Sequence, residues 1–145
     1  MVVPRMLHVA EPPAEFRVQS PLVVDCSLLA AVLFQEPERD KAEARMSEHA
    51  LFAPVLLDFE IVNVALKKIR CGQSEESIIA ALGLFADSDI VRLEIDASAL
   101  LPLAQRYRLT AYDAAYLWLA AELKAPLATF DAKLGEAARV HLASL

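Results

Sequence analysis

Apolar residues switch repeatedly between strand-like and helix-like spacing along the chain. Leu22-Val23-Val24 is a short unbroken run that leads into Asp25-Cys26-Ser27, and apolar residues then continue from Leu28 to Phe34. That pattern predicts a buried strand feeding directly into a helix. Glu38 to His49 is charged and rich in helix formers, as expected of a solvated surface helix. Leu51-Phe52-Ala53 predicts a second strand, and Pro54 is placed to open a helix that runs to Arg70 and stops at Gly72. Within that helix Val55, Phe59, Val62, Leu66 and Ile69 recur three or four residues apart, so this stripe is expected to face the core.

The alternation continues to the C-terminus. Ser74 caps a further helix whose first turn carries Glu75 and Glu76, acids that complement the positive helix end. Ile90 to Ile95 alternates as a strand does, and Asp96 caps a helix through Tyr107. Thr110 opens a helix over 111–124 that Pro126 ends, Leu127 to Phe130 predicts another strand, and Asp131 starts a short last helix. Val140-His141-Leu142 is expected to form a final edge strand. Strands alternating with helices imply an α/β fold with a mainly parallel sheet. Residues 1–20, with Pro4, Pro12 and Pro13 and no sustained period, are expected to form an irregular arm before a single domain over 21–145.

Composition narrows the class. A chain of 145 residues, 57% of them hydrophobic, can bury a full core. Charged residues interrupt every apolar stretch before the roughly 20 residues that a membrane span needs. Cys26 and Cys71 make neither a disulfide framework nor a zinc spacing, and no secretory pattern opens the chain, so a cytoplasmic protein is expected. A net charge of −6 argues against a purely electrostatic grip on nucleic acid. Nuclease chemistry stays open, because a metal site is itself built from carboxylates. No glycine-rich phosphate loop is present, and His8, His49 and His141 are scattered with no triad arrangement around them.

The informative residues are acids standing where the apolar pattern predicts burial. Asp25 and Asp131 follow predicted parallel strands directly, at the sheet edge where open α/β folds bind ligands. Glu60 and Asp113 interrupt otherwise apolar stretches of helix. Each also has a purely structural explanation: Asp25, Asp113 and Asp131 stand at helix starts where they can cap, and Glu60 can reach solvent along its helix edge. Together they mean more, because four acids gathered at one edge repel unless a cation joins them. Carboxylate oxygens suit Mg²⁺ or Mn²⁺ rather than zinc, and such an ion supports phosphodiester hydrolysis.

Neighbouring polar residues fit a supporting role. Asn63 and Lys67 follow Glu60 by three and seven residues, near the same helix face, and Ser27 and Thr110 stand close to Asp25 and Asp113 or simply cap helices. Lys67, Arg106 and Arg108 are candidate contacts to an RNA backbone, while Lys68 and Arg70 fit charge pairing at a helix end equally well. Tyr112, Tyr116 and Trp118 at helical spacing read as packing residues before stacking ones. Cys26 is expected to alternate away from Asp25 into the sheet interior.

Four segments carry a resemblance: Val23-Val24-Asp25-Cys26-Ser27, Leu57-Asp58-Phe59-Glu60-Ile61-Val62-Asn63, Leu109-Thr110-Ala111-Tyr112-Asp113-Ala114-Ala115-Tyr116, and Leu127-Ala128-Thr129-Phe130-Asp131. From about residue 21 onward the chain resembles PIN-domain ribonucleases, and more narrowly the VapC-type toxins of type II toxin–antitoxin pairs. The resemblance implies a three-layer PIN-like fold with a mainly parallel central sheet flanked by helices. It also implies an Mg²⁺- or Mn²⁺-dependent endoribonuclease, usually dimeric, held in check by a cognate antitoxin. On that pattern Asp25, Glu60, Asp113 and Asp131 are the catalytic, metal-binding acids, with Ser27, Asn63 and Thr110 beside them. Two other readings remain at this point. Aspartyl-phosphate chemistry at Asp25 usually needs a second acid two residues on, where Ser27 stands. A non-catalytic module would hold a basic peptide in the same acidic groove.

Overall fold

The computed structural model describes residues 2–12 and 20–145, and every structural statement here refers to them. The strands are β1 (His8–Ala10), β2 (Pro21–Val24), β3 (Ala50–Pro54), β4 (Val91–Leu93) and β5 (Leu127–Thr129). The helices are α1 (Cys26–Leu33), α2 (Arg39–Met46), α3 (Leu57–Arg70), α4 (Glu75–Ala86), α5 (Ala97–Tyr107), α6 (Ala111–Leu123) and α7 (Ala132–Ala143). One sheet has the order β1-β5-β2-β3-β4, parallel throughout except that β1 runs against β5. This is the α/β architecture expected from the alternating pattern.

The centre of the sheet explains itself from sequence. Leu22, Val23 and Val24 have no exposed surface, as an unbroken apolar run must when helices cover both faces of a parallel sheet. Helices α1 to α4 pack among themselves, and α6 packs against α5, α7, β2, β3 and β5. The buried residues form one core between these layers. From β2 the chain winds outward to β3 and β4, then crosses back to lay β5 on the other side of β2. The winding therefore reverses at β2, and the crevice beyond the carboxyl ends of β2 and β5 is where such sheets bind ligands.

Pro54 closes β3 instead of opening the helix, which begins at Leu57, and three further expectations change. First, α3 is turned differently: Leu57, Ile61 and Ala65 enter the core, whereas Phe59 is 72%, Val62 46% and Leu66 50% exposed. The helix carries two apolar stripes with the same spacing, and periodicity cannot say which one meets the core. At about 100° per residue this rotation brings Glu60, Asn63 and Lys67 onto one flank, between the buried face and the exposed apolar one. Second, Val140-His141-Leu142 is the end of α7, not a strand, because buried Leu134, Ala138 and Leu142 sustain the helical period. Third, residues 8–10 of the expected irregular arm form β1, which covers the β5 edge instead. The part of that expectation concerning residues 1 and 13–19 lies outside the described residues.

Docking of β1 depends on a missing side chain. A Cβ on Gly135 would lie 2.5 Å from His8 Cβ and 2.7 Å from its Cγ, so only glycine lets α7 approach the strand this closely. Gly135→Ala is expected to lower stability by roughly 1–3 kcal/mol through overpacking. It should also speed amide exchange at residues 8–10, and His8→Gly should recover most of both losses in the double variant. Denaturant unfolding and hydrogen exchange measure the two effects.

Candidate active site

The centre of the site is Asp25. It directly follows β2, and its Oδ1 caps α1 by accepting from the amides of Ser27 (3.1 Å) and Leu28 (3.3 Å). Asp25 is only 6% exposed, and such a carboxylate must be hydrogen-bonded to be tolerated. The Ser27 hydroxyl donates to Oδ1 at 2.6 Å, and the Thr129 hydroxyl, from β5, donates to Oδ2. Both hydroxyls also accept: Ser27 Oγ from the Phe130 amide and Thr129 Oγ1 from the Asp131 amide, each at 2.9 Å. The expected choice for Ser27, cap or site residue, resolves into Asp25 as cap and Ser27 as the bridge from Asp25 to the end of β5.

The other acids come to the same edge from different elements. Glu60, on the flank of α3, accepts from the Tyr116 hydroxyl of α6 at 2.7 Å. Asp113 stands in the first turn of α6, where Thr110 is the cap and takes the Asp113 amide at 3.1 Å. Asp131 caps α7 through the Leu134 amide at 2.9 Å, so its structural explanation holds.

Their charges register the proximity. Burial raises the Asp25 carboxyl to about 6, Asp113 adding repulsion against the hydrogen bonds that favour its charge. Glu60 is raised by burial and by the charges of Asp25 and Asp113, and Asp113 by burial and the charge of Asp131. The Tyr116 phenol is pushed far up by burial and by Glu60, so it remains a protonated donor.

Polar candidates divide. Asn63 and Glu60 line one groove of about 590 Å³ with Phe59 and Tyr112. Lys67 lines a second groove, which reaches Ser27. Arg106 lies instead over the Tyr107 ring, and Tyr107 meets His141 late in α7, nearly three turns beyond Asp131. Arg108 is the left-handed cap that ends α5. Cys26 does not enter the sheet interior; it opens α1 and lines both grooves, its thiol pushed up to about 12 chiefly by burial. Packing is the main role of Tyr116, which is 1% exposed, while Tyr112 is 63% exposed.

Two contributors have no site role in the sequence reading, where Tyr116 stands only as a packing residue before a stacking one. Thr129 is a polar residue inside the apolar strand Leu127-Ala128-Thr129, the signal that could have found it. The Tyr116 contact with Glu60 spans 56 positions and left no local trace.

The donors are all oxygens, which fits a hard cation. Among the described residues, no three His, Cys, Asp or Glu side chains close into a ready-made metal cage. Mg²⁺ does not require one, since it commonly takes one or two carboxylates and keeps several waters.

A mainly parallel sheet reversing at β2, with acids that directly follow β2 and β5 or stand on α3 and α6 and act on one another's charge, defines a class of fold that comparison makes specific. Residues 22–140 match the model of the PIN domain family, and the chain belongs to that family. It is 31% identical to Ribonuclease VapC3 of Pyrobaculum aerophilum, over 79% of this chain and 92% of that protein. The crystal structure of PAE2754 from Pyrobaculum aerophilum is similar with a TM-score of 0.60 at 25% identity, covering 87% of this chain and 91% of that one.

Two measurements follow from the geometry. Thr129→Val removes the donor to Asp25 and the acceptor of the Asp131 amide, and is expected to cost about 1–3 kcal/mol in urea unfolding. Asp25 rises from an ordinary 3.8 to about 6 on folding, so between those values the native state holds more protons than the unfolded one. Stability of the metal-free protein should therefore fall as pH rises through this window. Thermal melts in EDTA across it would show the fall, and a flat profile would mean that Asp25 ionises as freely folded as unfolded.

Proposed function

We propose that this protein is a metal-dependent endoribonuclease acting as the toxin of a toxin–antitoxin pair. Family membership and the similarity to a VapC ribonuclease support a nuclease. The observation that carries the finer reading is the mutual repulsion of Asp25, Glu60 and Asp113, with Asp131 acting on Asp113, at the sheet's ligand-binding edge. These four acids are the residues that would hold Mg²⁺ or Mn²⁺. Such an ion, when bound, activates water and offsets charge on a phosphoryl oxygen.

The protein's own side chains do the positioning. Ser27, Thr129 and the Leu28 amide immobilise Asp25, and Tyr116 fixes Glu60, so neither carboxylate has to reorganise on meeting its ligand. Thr110 anchors the first turn that carries Asp113, and Asn63 stands beside Glu60 in the groove, where its amide can orient a carboxylate or a water. Lys67 offers an RNA-backbone contact on the same flank. Arg106 and Arg108 are less suited to that role, given the placements described above.

The remaining parts of the reading concern partners and place. Phe59, Val62 and Leu66 present an exposed apolar row on α3 that suits self-association, in keeping with a homodimer. A cognate antitoxin with a basic side chain would satisfy the acidic groove when no cation does. No helix among the described residues is long and apolar enough to cross a membrane, which agrees with a cytoplasmic protein.

Purified protein free of any partner should cut a pool of structured RNA with Mn²⁺ or Mg²⁺ and not with EDTA. Asp113→Asn should abolish cutting while its metal-free form melts no lower than wild type at pH 7, because one repelling charge is gone. Equal cutting by both proteins would remove Asp113 from the mechanism. Millimolar Mn²⁺ should raise the melting temperature of wild type more than that of the variant. A wild-type protein that neither cuts RNA nor responds to Mn²⁺, yet binds basic peptides, would favour a binding module.

A further inference from the structure

The N-terminal segment leads to the active-site edge. Because β1 runs against β5, with Ala10 beside Leu127 and His8 beside Thr129, following the chain back from Ala10 moves toward the carboxyl end of β5. Residues before His8 continue past that end, where the acids gather. They are anchored there by Arg5, whose backbone amide donates to Glu38 Oε1 at 2.7 Å and whose Nε donates to the same oxygen at 3.2 Å. Arg5 Nη2 reaches Glu36 at 2.8 Å, and its guanidinium lies 5.3 Å from the centre of the Phe130 ring. Phe130 is the residue whose amide is held by Ser27.

Arg5 faces α3 across a groove of about 480 Å³ that reaches Ser27 and carries Lys67 and Lys68 on its α3 side. Glu36 lies between two of these cations, 2.8 Å from Arg5 and 3.6 Å from Lys68. Glu38 is buried beneath Arg5, its side chain 1% exposed. Lys67 is exposed and has no counter-charge among the described residues. Within the lining of this groove three cations, Arg5, Lys67 and Lys68, meet one carboxylate, Glu36, in a chain whose net charge is −6. It adjoins the Glu60–Asn63 groove, because Cys26 and Val64 line both.

We propose that Arg5, Lys67 and Lys68 form a phosphate-binding subsite that takes an RNA phosphate next to the one being cut. The proposal rests on the nuclease reading above and adds to it a residue, Arg5, that lies outside the stretch matching the family model. The physical reason is charge: one divalent ion offsets only part of four carboxylates, and cations that hold a neighbouring phosphate offset the remaining repulsion of a polyanion. Glu38 and Glu36 hold Arg5 through Nε and Nη2, which leaves its Nη1 side with two ammonium groups to meet phosphate oxygens, and the groove reaches Ser27, which is hydrogen-bonded to Asp25.

The test is binding of a short fluorescein-labelled RNA oligonucleotide by anisotropy over a salt series, with every protein carrying Asp113→Asn so that the RNA stays whole. Adding Arg5→Ala or Lys67→Ala should weaken binding about three- to tenfold and flatten the log–log salt slope by about 0.7 per lost phosphate contact. In the otherwise wild-type enzyme, Arg5→Ala should raise KM more than it lowers kcat, and Arg5→Lys should recover part of the loss. Arg5→Ala also unpairs buried Glu38 and can loosen the segment. Lys67→Ala, exposed and without a partner, carries the same expectation without that side effect. If Arg5→Ala weakens binding while Lys67→Ala and Lys68→Ala do not, Arg5 is a tether and the subsite is overturned. If RNA is cut and bound with all three substitutions neutral, the subsite falls and the nuclease reading stands. If wild type neither binds RNA nor cuts it with metal, both fall.

Discussion

The whole arrangement depends on one buried carboxylate. Asp25 sits where β2 meets α1, and its hydrogen bonds come from both sides of the crevice: the Ser27 and Leu28 amides from its own turn, and the Thr129 hydroxyl from β5. An ionised carboxylate in such a place is costly unless its lone pairs are occupied, and here the same hydroxyls that occupy them also bind the Phe130 and Asp131 amides. Ser27 and Thr129 therefore fasten the carboxyl ends of two parallel strands to each other through the acid. Candidate site and fold share one joint, so the strand ends cannot separate without exposing Asp25.

Charge sets the second constraint. Asp25, Glu60 and Asp113 raise one another's proton affinity or have it raised by Asp131, and burial adds to the effect. A site of this kind is held under electrostatic stress by the packing around it, and a cation, a proton or a basic side chain relieves the stress. Cations of the chain itself stand one step away rather than among the acids. Arg5 is taken up by Glu36 and Glu38, Lys68 shares Glu36, and Lys67 remains open on the rim. The result is an acidic centre beside a groove lined by Arg5, Lys67, Lys68 and Glu36.

Helix α3 shows how one element serves three environments. Leu57, Ile61 and Ala65 are buried, Phe59, Val62 and Leu66 face outward, and Glu60, Asn63 and Lys67 fill the flank between them. Both apolar faces recur three or four residues apart, so periodicity alone does not say which one meets the core. The acid was nonetheless legible, because Glu60 interrupts an apolar stretch whichever stripe is buried. Asp25 and Asp131 were legible for a similar reason: each directly follows an apolar strand, a place defined by local pattern.

What the sequence determined by itself is the alternation of strands and helices, the parallel sheet it implies, and the acids at element ends, because these follow from residue types within a few positions of one another. Helix caps belong to the same group, as Ser74, Asp96, Thr110 and Asp131 show. Tertiary structure alone decided which stripe of α3 is buried, that β1 covers the edge of β5, and that Thr129 and Tyr116 hold the acids. It also brought Arg5 beside Glu36 and Glu38, more than thirty positions away. These depend on contacts between distant segments, on a close approach that Gly135 permits, and on burial shared among several elements, none of which leaves a periodic or local signature in the chain.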